Sequence, residues 1–365
     1  MAMNISEMLS ICDFHDLHRM ALQYECECNF HSKNELIQSL LFQVKDNNRL
    51  KNQFHDLTTE EISFLYQLIF DTKHSFSYED ILAKAKNSLL NADDKQGYRK
   101  MTASFIKRGW LFRLSRGRVG LHFEFPEDIK KRLIMIILDD LKEKCVYRSS
   151  PSIIQDERFA LYYDWHQLIN FIYQQGEIPV TNQGAIYKKY LQQLFQQFSV
   201  GEEELQKGDW RFGYGRTFHL YPDRFSLLYD YTYHQGFIEE VPNGLRLTTK
   251  GAEAVGHFQD KETFMLSIFH FWQRVYRKAI PMLPMIVTMV ILLVKDGWAE
   301  EKSLKSILQK WIPPFYYDNA DVVFQKRILK MLLHLGIVRR GECNHEPLVG
   351  LTTFGQKSYE RIFKK

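Results

Sequence analysis

Between residues 95 and 118 the sequence holds Lys95, Arg99, Lys100, Lys107, Arg108, Arg113, Arg116 and Arg118, and no acidic residue. Cations clustered without acids can neutralise phosphates and release the counterions condensed around them, which supplies most of the affinity for a nucleic-acid backbone. The spacing gives these residues a geometry. Tyr98, Met101, Thr102, Phe105 and Ile106 recur at helical spacing. They claim one face of a helix and leave Lys100 and Lys107 pointing away from it. Ser115-Arg116-Gly117-Arg118 reads as the turn between two strands, Trp110-Leu111-Phe112 and Val119-Gly120-Leu121. A cationic helix followed by a cationic hairpin tip suits duplex DNA, with the helix in the major groove. The competing reading is a solvated basic face that docks on an acidic protein.

A second set interleaves aromatic rings with cations: Trp210, Arg211, Tyr214, Arg216, His219 and Arg224. Gly213 and Gly215 permit close backbone approach there. Such a set can stack the bases of a single strand. It can equally form cation–π pairs inside an interface. A third basic cluster gathers Lys326, Arg327, Lys330, Arg339 and Arg340. Cys12, His15, His18, Cys26, Cys28 and His31 crowd one stretch, and Cys343 and His345 another. Neither stretch has the paired knuckles of a zinc site, so no metal is expected. There is no G-x-x-x-x-G-K-[ST] loop, no G-x-S-x-G elbow and no H-E-x-x-H. The expectation is a non-enzymatic protein without a cofactor.

Composition bounds these readings. A chain of 365 residues suggests two or three domains, each with its own core. The net charge is only +4, so a nucleic-acid reading rests on local clustering. Five cysteines, an odd number, fit a reducing compartment better than a disulfide framework, and the expected location is cytoplasmic. The N-terminal stretch MAMNISEMLSICDF has no basic region and no long apolar run, so no signal peptide is expected. The longest apolar run, 279–294, is short for a membrane span and carries Pro281 and Pro284; it reads as a buried core helix. No membrane partner is expected.

The elements that must position these residues follow a repeated grammar. In 210–251, Phe225, Leu228, Tyr229 and Thr232 form one helix face after Pro222-Asp223, and Gly236 marks the stop. Phe237-Ile238, a turn at Pro242-Asn243-Gly244 and Leu245-Arg246-Leu247 then read as a hairpin. Helix, glycine, hydrophobic pair, turn and strand make the closing half of a winged helix. The helix 95–108 with Gly109 repeats that grammar, and so does the helix carrying Phe324, Ile328, Met331 and Leu335 before Gly336. Leu245-x-Leu-Thr-Thr-x-Gly251 returns as Val349-x-Leu-Thr-Thr-x-Gly355. The expected fold is mainly α with small β-hairpin wings. Its domains are a helical module at 1–56, winged helices at 57–141, 166–257 and 258–365, and a Ser/Pro-rich linker at 142–165. Capping boxes at Ser32–Glu35 and Thr58–Glu61 mark helix starts.

The first 56 residues resemble a SAP-like module through Leu9, Leu17, Ala21, Lys33, Glu35, Leu36 and Ile37. The link at Tyr24-Glu25-Cys26-Glu27-Cys28 departs from it, being acidic and lacking the usual glycine. SAP modules often touch DNA, which makes Lys33 a candidate phosphate contact. With Gly109-Trp110-Leu111-Phe112, the Phe125-Pro126-Glu127-Asp128 junction and the repeated wings, the chain resembles the helicase-associated family related to the N-terminal region of XPB-type helicases. It lacks the motor's Walker motifs. The resemblance implies a DNA-engaging accessory to a helicase or other DNA machine. The alternative is a protein-interaction scaffold or transcription-related regulator that uses winged helices as docking surfaces.

Overall fold

Side-chain caps set most helix starts in the first of two units, Met1–Lys142 and Glu143–Lys365. The computed structural model describes residues 3–71, 73–88, 95–115, 121–203, 205, 213–257 and 260–363. The first unit begins with helices Ile5–Ile11, Phe14–Gln23, Lys33–Lys45 and Asn47–His55. Ser32 accepts from the Glu35 amide at 3.4 Å, but the expected capping box is only half formed, because the Glu35 carboxylate accepts from the Asn29 amide at 3.1 Å instead. Asp13 and Asp46 add caps of their own, accepting from the amides of Asp16 and Asn48 at 2.8 and 2.9 Å. The expected helix–link–helix therefore becomes four helices. Nor does the module stand apart from residues 57–141. The Ile5 amide donates to Asp128 at 2.9 Å, and the Tyr24 hydroxyl donates to the Arg108 carbonyl at 2.8 Å.

The same unit continues with helix Thr59–Ile69, strand β1 (Ser75–Ser77), helices Tyr78–Ser88 and Lys95–Lys107, then strands β2 (Phe112–Ser115) and β3 (Leu121–Glu124). The antiparallel order is β1-β3-β2. Ser77 and Asp80 cap each other reciprocally at 3.0 Å, starting helix Tyr78–Ser88. Phe105 sits edge-on to both Phe64 and Trp110, with centroids 4.9 and 5.5 Å away. The turn with Arg116 and Arg118 lies outside the described residues. Helix Glu127–Glu143 follows the Phe125-Pro126 junction.

In the second unit the same order of elements occurs twice. Helix Ala160–Gln175, β6 (Glu177–Pro179), helices Lys188–Phe195 and Asp223–His234, β7 (Ile238–Val241) and β8 (Gly244–Leu247) form a sheet ordered β6-β8-β7. Helix Leu283–Val294, β9 (Trp298–Glu300), helix Glu301–Leu308, a helix over 320–334 with a wide π-type stretch at Val323–Leu329, β10 (Val338–Cys343) and β11 (Glu346–Leu351) repeat it. The apolar run becomes the buried helix Leu283–Val294. No helix among the described residues is long and apolar enough to cross a membrane. The stretch expected as a linker, 142–165, is instead built in. Its strands β4 (Tyr147–Arg148) and β5 (Ile153–Gln155) flank the last sheet, giving β4-β9-β11-β10-β5. Edge strands carry unpaired amides and carbonyls that a neighbouring segment can satisfy. Strands of two or three residues are too short to leave a periodicity, so composition alone reads them as a link.

The hinge from third helix to hairpin is one device used three times. Gly109, Gly236 and Gly336 have φ of 64°, 72° and 66°. At each, the glycine amide bonds back to the carbonyl of Ile106, Tyr233 or Leu333. The next amide bonds to that of Phe105, Thr232 or Leu332. These are Schellman motifs, and the left-handed φ they need favours glycine. In the first unit this delays β2 to Phe112, because Trp110 and Leu111 belong to the buried turn. The Leu-Thr-Thr echo is a cap. Thr248 and Thr352 accept from the amides of Gly251 and Gly355 at 3.1 and 2.8 Å. Their hydroxyls reach back to the carbonyls of Gly236 and Gly336. Gly251 and Gly355 lie inside the capped helix, not at the strand's end. A Cβ there would strike the carbonyl of Phe237 or Ile337.

Candidate nucleic-acid interface

The helix Lys95–Lys107 exposes Arg99, Lys100, Ala103 and Lys107 and turns Met101 and Phe105 inward, as the spacing predicts. Lys95 opens the helix; its side chain is not among those described. The acid-free stretch does meet acids, but from elsewhere in the unit. Arg108 pairs with Glu61 at 3.2 Å, contacts Ser104 and lies over the Trp110 ring at 5.6 Å. Arg113 bonds Asp16 through both guanidinium nitrogens of its fork, with contacts of 2.7 and 3.1 Å. Asp16 keeps only 3% of its side chain exposed. Removing either arginine would strand a poorly solvated carboxylate, so both are committed to holding the unit together. Among the described side chains of this helix, the candidate phosphate contacts left are Arg99, Lys100 and Lys107.

Two hollows flank that ridge. One, of about 320 Å³, runs along Lys100, Ala103, Lys107 and Gln23. The other, of about 230 Å³, has an apolar floor of Tyr78, Leu82, Ile106, Leu121 and Phe123. Its rim is Arg19, Arg99, Lys107 and Arg113. Arg19 is exposed on helix Phe14–Gln23 and joins the cluster only through tertiary packing. Lys33 is exposed at the start of its helix. It lies near enough, with Arg113, to oppose the burial that pushes the Cys12 thiol up to about 12.

The aromatic set of the second unit is divided. Trp210 and Arg211 lie outside the described residues. Tyr214 is buried between Tyr276, Phe315 and Arg327, at 5.2, 5.4 and 4.6 Å. Arg224 is 2% exposed, bonded to Asp164 at 2.5 Å and Glu202 at 3.4 Å, with Glu157 at 3.8 Å. Glu157 in turn meets His334 at 2.8 Å. Of the described members of this set, only Arg216 and His219 are exposed. Arg216 is held by Glu240 at 2.8 and 3.0 Å and lies over Tyr233 at 4.1 Å. Tyr214 and Arg224 are thus core residues of the second unit, not a platform for bases. Asp223–His234 is buried along almost its whole length, because helices Lys261–Tyr276 and Lys330–His334 cover the faces its own hairpin leaves open.

The third basic cluster is divided likewise. Arg327 is buried against Asp223 and Asp318 at 2.6 and 2.8 Å. Arg340 pairs with Glu301 at 2.7 Å, and Arg339 stacks on Trp298 at 4.7 Å. Lys326 and Lys330 remain exposed beside a hollow of about 460 Å³. Of the cysteines and histidines near the N-terminus, Cys12 and Cys26 are buried and His18 packs on Phe30 at 5.1 Å. Among the described residues, no three His, Cys, Asp or Glu side chains are grouped to hold a metal. No protein-family model, curated protein or solved structure matches the chain.

Proposed function

We propose that this chain is a non-enzymatic nucleic-acid-binding protein of tandem winged helices whose first unit grips duplex DNA. The thrice-repeated order of helix, strand, helix, helix, strand, strand, with the last strand central in each set of three, supports the winged-helix reading. The observation that carries the DNA reading is the ridge of Arg99, Lys100 and Lys107. It is exposed on the third helix, the element that enters the major groove in this architecture. Arg19 extends the same positive surface. Such contacts act mainly on phosphates, so the expected binding is weak, salt-dependent and nearly indifferent to sequence. The role beside a helicase rests on the sequence resemblance alone.

An electrophoretic shift series with duplex, single-stranded and forked DNA tests this reading. Duplex and forked probes are expected to shift at low salt and to lose the shift steeply as salt rises. No shift at low salt, or a shift indifferent to salt, would count against it. One observation favours the scaffold reading. The groove beside the ridge has an apolar floor, with Leu121 51% and Tyr78 45% exposed. An apolar floor under a cationic rim suits an acidic peptide carrying one hydrophobic anchor.

A further inference from the structure

A separate hollow in the second unit, of about 500 Å³, opens between the ends of two helices and the Gly213–Arg216 loop. Asp230, Tyr233 and His234 line it from one helix, and Phe271, Arg274 and Val275 from the other, with Lys278 just beyond. Its size falls within the range of small-ligand sites. Two guanidinium groups are set at its wall by aromatic rings. Arg216 lies over Tyr233 at 4.1 Å. Arg274 lies over Phe271 at 5.4 Å and contacts His234 Nε2 at 2.7 Å, while His234 stacks on the same Phe271 at 5.2 Å.

The charges are unequal. Arg216 is answered by Glu240. Asp230 is buried, and its carboxylate accepts from the Arg216 amide at 2.6 Å and the Thr217 hydroxyl at 2.9 Å. Among the described residues no carboxylate pairs with Arg274 or Lys278, and both are exposed. A cation in a helix's last turn offsets the macrodipole, which accounts for one such residue. It does not account for two converging on a hollow with aromatic walls. Gly215 keeps the loop against that floor: a Cβ would lie 2.7 Å from Asp230 Oδ2.

We propose that this hollow binds a nucleotide, its phosphate on Arg274 and Lys278 and its planar base against the exposed Tyr233 ring and the neighbouring Val275. The nucleotide is either free or part of a single strand. The site is distinct from the duplex-binding ridge of the first unit and does not depend on it. Calorimetric titration of the full chain with adenosine monophosphate, inorganic phosphate and a short single-stranded DNA tests the proposal. Saturable binding of the mononucleotide supports a free ligand, and tighter binding of the oligonucleotide supports a strand. In either case Arg274→Ala with Lys278→Ala is expected to weaken binding about tenfold or more, as two charge-assisted contacts are lost. Val275→Phe is expected to block the hollow without altering its charge. Lys100→Glu with Lys107→Glu is expected to leave mononucleotide binding unchanged, which separates this site from the first unit. The proposal is overturned if neither nucleotide nor oligonucleotide binds. It is overturned equally if inorganic phosphate binds as well as the mononucleotide, or if both sets of hollow variants bind like the wild type.

Discussion

Helix Lys95–Lys107 of the first unit and its counterpart at Asp223–His234 have the same place in the same order of elements and end in the same glycine motif. One is a two-faced helix with cations in solvent; the other is enclosed on nearly every side. Arginine shows the contrast most sharply. Arg99 is exposed on the first, while Arg224 on the second is sealed among Asp164, Glu202 and Glu157. Topology therefore does not assign a role to this helix. What is stacked against it does. In the second unit, helix Lys261–Tyr276 packs against it through Tyr231, which meets Phe264 and Phe271 at 5.3 and 5.6 Å.

The largest expected effect at a charged residue would come from Arg224→Ala. It leaves Asp164, at 0% exposure, without its cation. Breaking a buried pair from one side costs about 3–5 kcal/mol, and urea denaturation of the full chain should show that loss in the second unit. Arg99→Ala on the equivalent exposed helix should change stability by less than about 0.5 kcal/mol. Equal losses for the two would erase the distinction between them.

A smaller effect separates the buried network by pH. Burial pushes the Glu202 carboxyl up to about 7, against the pull of Arg224. A raised folded value means that its contribution to stability is complete below about 4.5 and is lost as pH rises through about 7. His334 works in the opposite sense. Burial lowers its value despite Glu157, so its contribution is lost as pH falls below about 6.5. Glu202→Gln should therefore gain on the wild type in melting temperature between pH 5 and pH 8, and keep the decline in acid. Parallel profiles for the two proteins would remove Glu202 from the account.

The smallest effect on stability, and the most telling for function, is expected from Lys100→Glu with Lys107→Glu. Both side chains are in solvent, so stability should move by less than about 0.5 kcal/mol. Removing two phosphate contacts should lower the salt slope of DNA binding by about 2. Phe105→Ala, on the opposite face and fully buried, should instead cost about 3–5 kcal/mol through a cavity. If the double change leaves both affinity and salt slope untouched, the ridge is not the DNA contact and the apolar groove gains weight.

Local chemistry determined much of this chain from its sequence alone. The caps at Ser32 and Thr58, the stops at Gly109, Gly236 and Gly336, and the inward face of Met101 and Phe105 are all legible there. Each depends on residues within a few positions of one another, where backbone geometry leaves few choices. The sequence also marked Lys100 and Lys107 as outward. Tertiary structure decided the rest, because it depends on partners far along the chain. Arg108 and Arg113 found Glu61 and Asp16, which no local pattern pairs with them. The Ser/Pro-rich stretch found two sheet edges and became strands. Arg224 and Tyr214, equal in type to exposed neighbours, were enclosed by helices more than thirty residues away. Whether a cation meets solvent or a carboxylate is settled only when those distant surfaces close, since desolvating a charge is tolerable only with its partner in place.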